Sequence, residues 1–314
     1  QHYRTNLMGH VFQAILPIFL IIGLGALLKA KAGFDDSFWR LVEKLTFNGM
    51  FPSLLFIKIA EAHINWSAAL PITGIIVGGI ILTAMAAIPL RSLLHLNPER
   101  FVAVFQGGFR SNTYVGIAIV LSILGDGATG AMAVSMFAVA ITINFIGVWG
   151  HLKWLPRAGL ARGWIGVARD CVKNPLIQAS LLGGLFNVTG WGLPPIIGPP
   201  LELLSHAALP MGLMAVGAGL SISAVKDAGL PVCVSSLFKL ILQPLLTFWL
   251  ASLIGLEGFS LMVPVIFAAL PTSSTAYVVS RRMGSDADVM AAIVTATHLG
   301  AIVTLPLLLA LIQH

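Results

Sequence analysis

Charge is what this sequence has least of. Only 10% of its residues are Asp, Glu, Lys or Arg, against roughly 25% in a soluble domain. Cysteine is nearly missing, with Cys171 expected at a helix start and Cys233 inside a helix. Two isolated thiols exclude a disulfide framework and a cysteine metal site. No metal site, no catalytic residue and no cofactor is expected. The chain does not open on Met. Met8 reads as the native start, and residues 1–7 as an added remnant outside the fold. The first apolar run, Val11 to Leu28, lacks a basic leader and a small-residue cleavage site, so it reads as a retained helix.

Apolar sequence takes the place of charge. Hydrophobic residues make up 57% of the 314, and mean hydropathy is +0.94. Water would not hold such a chain as a monomer, whereas a bilayer would. Each crossing takes about 20 apolar residues, which leaves room for roughly ten. The polar breaks place them at 10–30, 39–60, 67–94, 101–124, 128–150, 175–190, 200–223, 230–254, 259–282 and 287–312. The fold class expected is all-α integral membrane. The longest polar segment joins the fifth and sixth helices, from His151 to Asn174.

The net charge of +6 does not indicate nucleic acid, because the basic residues sit in short loops. Fourteen of the eighteen fall on one side, from Lys29 and Lys31 through Arg91, Arg100 and Lys153 to Arg281 and Arg282. Only Arg4 and Lys58 fall on the other, and Arg110 and Lys239 lie within spans. Cytoplasmic loops carry the excess of Lys and Arg. Both termini are therefore expected outside the cytoplasm, and residues 153–174 inside it as a linker.

The two halves resemble each other at an offset of about 159 residues. Leu124-Gly125-Asp126-Gly127-Ala128 faces Met283-Gly284-Ser285-Asp286-Ala287, and Thr113 faces Thr272. One residue out of register, Phe51-Pro52-Ser53-Leu54-Leu55-Phe56 faces Leu209-Pro210-Met211-Gly212-Leu213-Met214. The reading is two five-helix repeats, 8–152 and 175–314. An odd helix count inverts the second repeat, an arrangement that places a substrate site near the midplane at interrupted helices.

Two such interruptions occupy corresponding places. The fourth helix contains Gln106-Gly107-Gly108-Phe109-Arg110-Ser111-Asn112-Thr113. The ninth contains Leu270-Pro271-Thr272-Ser273-Ser274-Thr275. Pro271 lacks an amide donor. Freed backbone groups in hydrocarbon cost several kcal/mol each unless satisfied. Hydroxyls at Thr272, Ser273, Ser274 and Thr275, and the amide of Asn112, answer that need. They serve either ordinary back-bonding or a site. Exposed amide ends of helices favour an anion.

Arg110 is the sharpest single residue. A mid-span guanidinium costs roughly 2.5–3.5 kcal/mol, and the twelve acids lie in loops or at helix ends. It reads as a bidentate carboxylate ligand, against the alternatives of snorkelling or a structural bond. Lys239 reads equally as a coupling group or as a snorkelling chain. His298 is either a proton carrier or a neutral, hydrogen-bonded core histidine. Asn144 and Gln243 read as bridges between helices. An intramembrane hydrolase would need His298 and Ser274 as a pair, and no GxSG-type elbow accompanies them. A sensor would need a soluble domain for which the chain has no room.

The segments Phe51–Phe56, Ser111–Gly116, Leu209–Leu213 and Leu270–Tyr277 are, in order and spacing, similar to the auxin efflux carrier family in its bacterial branch, within the superfamily that includes bile-acid symporters. The resemblance spans about residues 10 to 312. It implies ten helices in two inverted repeats, with crossed, broken helices 4 and 9. It implies a scaffold of helices 1, 2, 6 and 7, and a mobile transport domain of helices 3–5 and 8–10. It also implies elevator-like movement of a small organic anion, malate-, malonate- or auxin-like, a homodimer through the scaffold, and the bacterial inner membrane. Asn112 matches the family's substrate-contacting Asn. Two features depart from the plant members: no proline follows Asn112, and the long cytoplasmic loop is absent. The alternative within transport is a sodium symporter of bile-acid-like or pantoate-like anions. The ninth helix lacks the acidic side chains of such sodium sites.

Overall fold

The structure is a computed structural model that describes residues 2–62, 64–155, 169, 172–193 and 195–312. Among these residues every regular element is helical and no strand occurs. The first half runs α1 (His2–Lys31), α2 (Asp36–Leu45), α3 (Phe51–Ala60), α4 (Trp66–Ala87), α5 (Leu90–Leu93), α6 (Pro98–Gly107), α7 (Thr113–Leu124) and α8 (Thr129–Trp154). The second runs α9 (Pro175–Thr189), α10 (Gly198–Ala218), α11 (Ile222–Leu237), α12 (Gln243–Leu253), α13 (Gly258–Ala269), α14 (Thr275–Met283) and α15 (Ala287–Ile312). Five helical stretches are long and apolar enough to cross a membrane: Trp66–Leu93, Gly130–Trp154, Gly198–Ala218, Gly229–Leu253 and Ala287–Ile312. The chain is a multi-pass membrane protein.

Local sequence explains most helix starts. Asn97 accepts the amide of Arg100, and Asn174 that of Leu176. Each is followed by a proline, Pro98 and Pro175, in the first turn, where its missing N–H leaves nothing unpaired. Asp35 and Asn65 cap α2 and α4 in the same way. Beside them Lys29 and Asp36 form an exposed ion pair at 2.7 Å. It holds the Asp36 carboxyl below its usual value.

Two prolines sit inside continuous helix at a common solution. Thr46–Met50 is a π turn just before Pro52, and Phe238–Leu242 is a π turn just before Pro244. A proline ring meets the carbonyl four residues earlier, and the extra residue of a π turn moves that carbonyl aside. The pair α2–α3 is therefore one rod with a bulge, as is α11–α12.

Packing groups the helices. α1 lies against α10, and α3 against α9 and α10. The α1–α10 contact is backbone on backbone. A Cβ on Gly25 would strike the Met214 carbonyl, and one on Gly217 the Ile22 carbonyl. Elsewhere α4 packs on α8, α12 and α13, while α11 packs on α15. Phe101, Phe105, Phe109 and Phe267 fill the core around these elements, fully buried.

Several ends differ from the hydropathy reading. α1 reaches back to His2, into the stretch set aside as a remnant. α8 runs to Trp154, so His151 lies within a helix and is fully buried, not in a polar linker. The reason is tertiary: Trp154 packs edge-on against Phe101 and Phe105 at 4.7 and 5.1 Å, which draws the last turn into the core. α10 ends at Ala218, earlier than expected, and α11 begins at Ile222, bending at Gly229 where φ is +63°. Most of 153–174, with Cys171, lies outside the described residues. Cys233 is in α11 and exposed.

Candidate functional site

Both polar interruptions break their helices. α6 stops at Gly107 and α7 begins at Thr113; α13 stops at Ala269 and α14 begins at Thr275. Leu270, ahead of Pro271, is extended at φ −62° and ψ 148°, as a residue before proline prefers. The two breaks then pair with each other. The Asn112 amide donates to the Pro271 carbonyl at 2.8 Å, and the Ser273 amide donates to the Arg110 carbonyl at 2.9 Å. Ser111 and Thr272 thereby form an isolated antiparallel bridge.

Side chains satisfy what the bridge leaves. Ser111 Oγ donates to the Phe267 carbonyl at 3.2 Å, and Thr272 Oγ1 donates to the Gly107 carbonyl at 2.8 Å. Each break thus caps the C-terminal end of the other broken helix. Ser235 Oγ donates to the Val104 carbonyl at 2.9 Å, Lys239 Nζ to the Ala268 carbonyl at 2.6 Å, and the Thr272 amide to Thr297 Oγ1 at 3.0 Å. The freed carbonyls and amides, costly in hydrocarbon, are paired here by four hydroxyl or ammonium groups, of Ser111, Thr272, Lys239 and Thr297, from four separate segments.

Of the two N-terminal ends, that of α7 is capped and that of α14 is not. Asn112 Oδ1 accepts the amides of Tyr114 and Val115 at 3.1 and 3.4 Å, which fixes the orientation of its side-chain amide. Its Nδ2 then donates to His298 Nε2 at 3.2 Å. His298 Nδ1 lies 2.7 Å from the Val294 carbonyl. A carbonyl only accepts, so Nδ1 bears the proton and Nε2 is the acceptor that Asn112 requires. At α14 the Ala276 and Tyr277 amides turn back to the Ser273 and Ser274 carbonyls, and Ser273 and Thr275 share a hydroxyl bond at 2.8 Å. No side chain caps this end, and the Thr275 amide has no intrahelical partner. Thr113, Ser274 and Thr275 are half-buried.

Arg110 is 4% exposed. Its NH1 donates to Gln106 Oε1 at 3.0 Å and its NH2 to Asn144 Oδ1 at 3.1 Å, both neutral acceptors. Its Nε is buried without a partner. The network continues outward. Gln106 Nε2 lies 3.4 Å from His151 Nε2, which also meets Ser285 Oγ at 3.2 Å, and His151 Nδ1 donates to the Gly147 carbonyl at 2.9 Å. Lys239 is fully buried and also donates to Gln243 Oε1 at 2.6 Å. Among the described residues the buried side chains include these two cations and no Asp or Glu.

The fold therefore gathers Arg110, Ser111, Asn112, Pro271, Thr272 and Ser273 at one bridge. It attaches His298 through Asn112 and Lys239 through Ala268. Thr113, Ser274 and Thr275 follow on the first turns beyond. Asn144 and Gln243, read as helix bridges, hold Arg110 and Lys239. Residue-by-residue reading of the sequence did not single out Gln106, His151, Ser235, Ser285 or Thr297 as participants. The signal for Gln106 was its place four residues before Arg110. A lone Ser or Thr on an apolar helix gives none.

An all-helical, multi-pass membrane protein with two interrupted helices paired in its interior has the construction of a membrane transporter. Residues 164–309 match the family described as membrane transport protein. The chain is 24% identical over 302 residues to the uncharacterized transporter YfdV of Escherichia coli K12, covering 93% of this chain and 95% of that one. It is 23% identical over 316 residues to a putative malonate transporter of Rhizobium meliloti, covering 98% and 97%. It is 25% identical over 155 residues to a probable auxin efflux carrier component 1b of Oryza sativa subsp. japonica, covering 46% of this chain and 27% of the rice protein. The second half of the chain thus matches a membrane transport family, and the relatives that the chain matches along most of its length are named as transporters, not enzymes.

Proposed function

We propose that this protein is a secondary carrier of a small organic anion, a carboxylate of the malonate or malate kind or an auxin-like acid, bound at the paired breaks. The observation that carries the reading is the Ser111–Thr272 bridge. It uses the C-terminal ends of α6 and α13 to hold the breaks together and leaves the N-terminal ends of α7 and α14 beside the bridge. Helix N-termini offer amide donors and a positive dipole end to an anion. Asn112, Thr113, Ser274 and Thr275 would supply the polar contacts. Arg110 and Lys239 add positive charge with neutral partners only, so a carboxylate is the complementary ligand. The name of the Rhizobium meliloti relative supports a carboxylate.

The rest of the reading is an elevator. Helices 1, 2, 6 and 7 of the ten-helix, inverted-repeat scheme form the scaffold, and helices 3–5 and 8–10 carry the site. The grouping of α1, α3, α9 and α10 by their contacts supports it. The carrier would sit in a bacterial inner membrane as a homodimer, with both termini outside the cytoplasm. His298, hydrogen-bonded to Asn112, is the group through which a proton would couple to the site.

The test is ligand stabilisation in detergent followed by uptake into proteoliposomes. Ligand at a hundredfold excess over Kd stabilises the folded state by about 2.7 kcal/mol. Malonate, malate and indole-type acids are compared with amines, with and without sodium. Stabilisation and uptake of an acid, weakened in Arg110→Ala, are expected. A response to amines alone, or unchanged affinity for every accepted acid in Arg110→Ala, would sink the site assignment. A sodium requirement would transfer the reading to a sodium symporter.

A further inference from the structure

Away from the paired breaks, α4 and α8 leave a groove of about 430 Å³ between them, within the ~300–1,000 Å³ range of small-molecule sites. Ile81 and Met85 of α4, Ile141, Phe145 and Trp149 of α8, and Phe105 of α6 line it. The hydroxyl of Thr142, the one hydroxyl in the wall, is spent on the Ala138 carbonyl at 2.8 Å. The rest of the wall is hydrocarbon and aromatic, with the Trp149 indole at one end. Met85 and Phe145 are more than half exposed, so the groove opens on the face that meets lipid.

One end of the groove differs from the rest. Trp149, in the wall, lies 4.7 Å beneath Lys153 Nζ, and Trp154 lies 5.4 Å from the same ammonium. Lys153 is exposed. Across the groove Ile88 lines the wall, and Arg91, exposed, follows it by one turn. Two cations and an indole pair therefore stand at this end of the groove, Arg91 on α5 and Lys153 with Trp149 and Trp154 on the last turns of α8. Tryptophan seeks the headgroup level of a bilayer, and Lys and Arg there attract anionic lipid.

We propose that this groove is a binding site for an anionic glycerophospholipid. One acyl chain lies in the groove over Phe105 and the phosphate lies between Lys153 and Arg91. The apolar wall selects hydrocarbon, and the charged mouth selects the headgroup. Phe105, at the floor of the groove, precedes Gln106, which holds Arg110.

Native mass spectrometry of the full-length protein, titrated with phosphatidylglycerol or phosphatidylcholine of the same acyl chains, tests this. Wild type should retain phosphatidylglycerol more tightly, by roughly fivefold for each cation engaged. Lys153→Gln with Arg91→Gln, both at exposed positions, should bring it down to the phosphatidylcholine level. Ile141→Trp, at the partly exposed rim, should fill the groove and lower retention of both lipids. Equal retention of the two lipids by wild type would overturn the proposal. So would a headgroup preference that survives the double substitution. A dimer dissociated by Ile141→Trp with lipid retention unchanged would assign the groove to a second copy of the chain and overturn it as well.

Discussion

Ser111 and Thr272 exchange helix ends. Each sits in the break of one helix and donates its hydroxyl to the last carbonyls of the other, Ser111 to Phe267 and Thr272 to Gly107. Their neighbours supply the two backbone bonds between the breaks. The interruption of either helix is thus stabilised by the interruption of the other.

Removal of one cap leaves a buried carbonyl unpaired. Ser111→Ala and Thr272→Val are each expected to destabilise the protein by about 1 kcal/mol. Because both act on one bridge, the double substitution should depart from the sum of the two. Reversible unfolding in mixed detergent micelles measures this. A strictly additive double variant would mean that the breaks are held independently.

The protonated nitrogens of two histidines follow from geometry. His151 and His298 each donate Nδ1–H to the carbonyl four residues earlier, of Gly147 and Val294. Nitrogen-15 spectra of histidine-labelled protein should show these two of the eight rings as the Nδ1–H tautomer. In Asn112→Ala the His298 signals should shift, because Nε2 loses its donor, and the α7 cap should be lost at about 1 kcal/mol. An Nε2–H tautomer at His298 would refute the assigned orientation of Asn112.

Arg110 depends on two neutral oxygens. Asn144→Leu removes the NH2 acceptor and should cost about 1–3 kcal/mol, the desolvation penalty of a buried donor left unpaired. Asn144→Asp keeps the oxygen and adds a charge opposite to that of Arg110, so it should retain stability while weakening anion binding. Thermal unfolding and ligand titration on the same samples separate the two effects. Equal binding by wild type and Asn144→Asp would remove Arg110 from the anion's electrostatic surroundings.

Helices α1 and α10 touch through bare backbone. Gly217→Ala would drive a methyl into the Ile22 carbonyl and is expected to cost at least 1–3 kcal/mol, as overpacking does. Gly23, exposed on α1 with nothing near its Cβ position, is the control. Gly23→Ala should gain up to about 1 kcal/mol in helix propensity. Unfolding midpoints of the two variants should move in opposite directions.

The membrane class, most helix cores and the positions of both breaks were legible in the sequence. Those features are local: scarce charge, runs of about 20 apolar residues, and Pro271 followed by four hydroxyl residues act on their own segment of chain. Which groups meet was decided by the tertiary structure. Asn112 reaches His298 and Thr272 reaches Gly107 across more than 160 residues, and no local pattern encodes which carbonyl a lone hydroxyl will find. The same holds for His151. Its polar neighbours mark a loop, yet Trp154 packed on Phe101 and Phe105 carries the helix past it. In hydrocarbon each freed polar group must find a partner inside the protein, so sequence places the breaks, and the packing of distant helices selects the residues that close them.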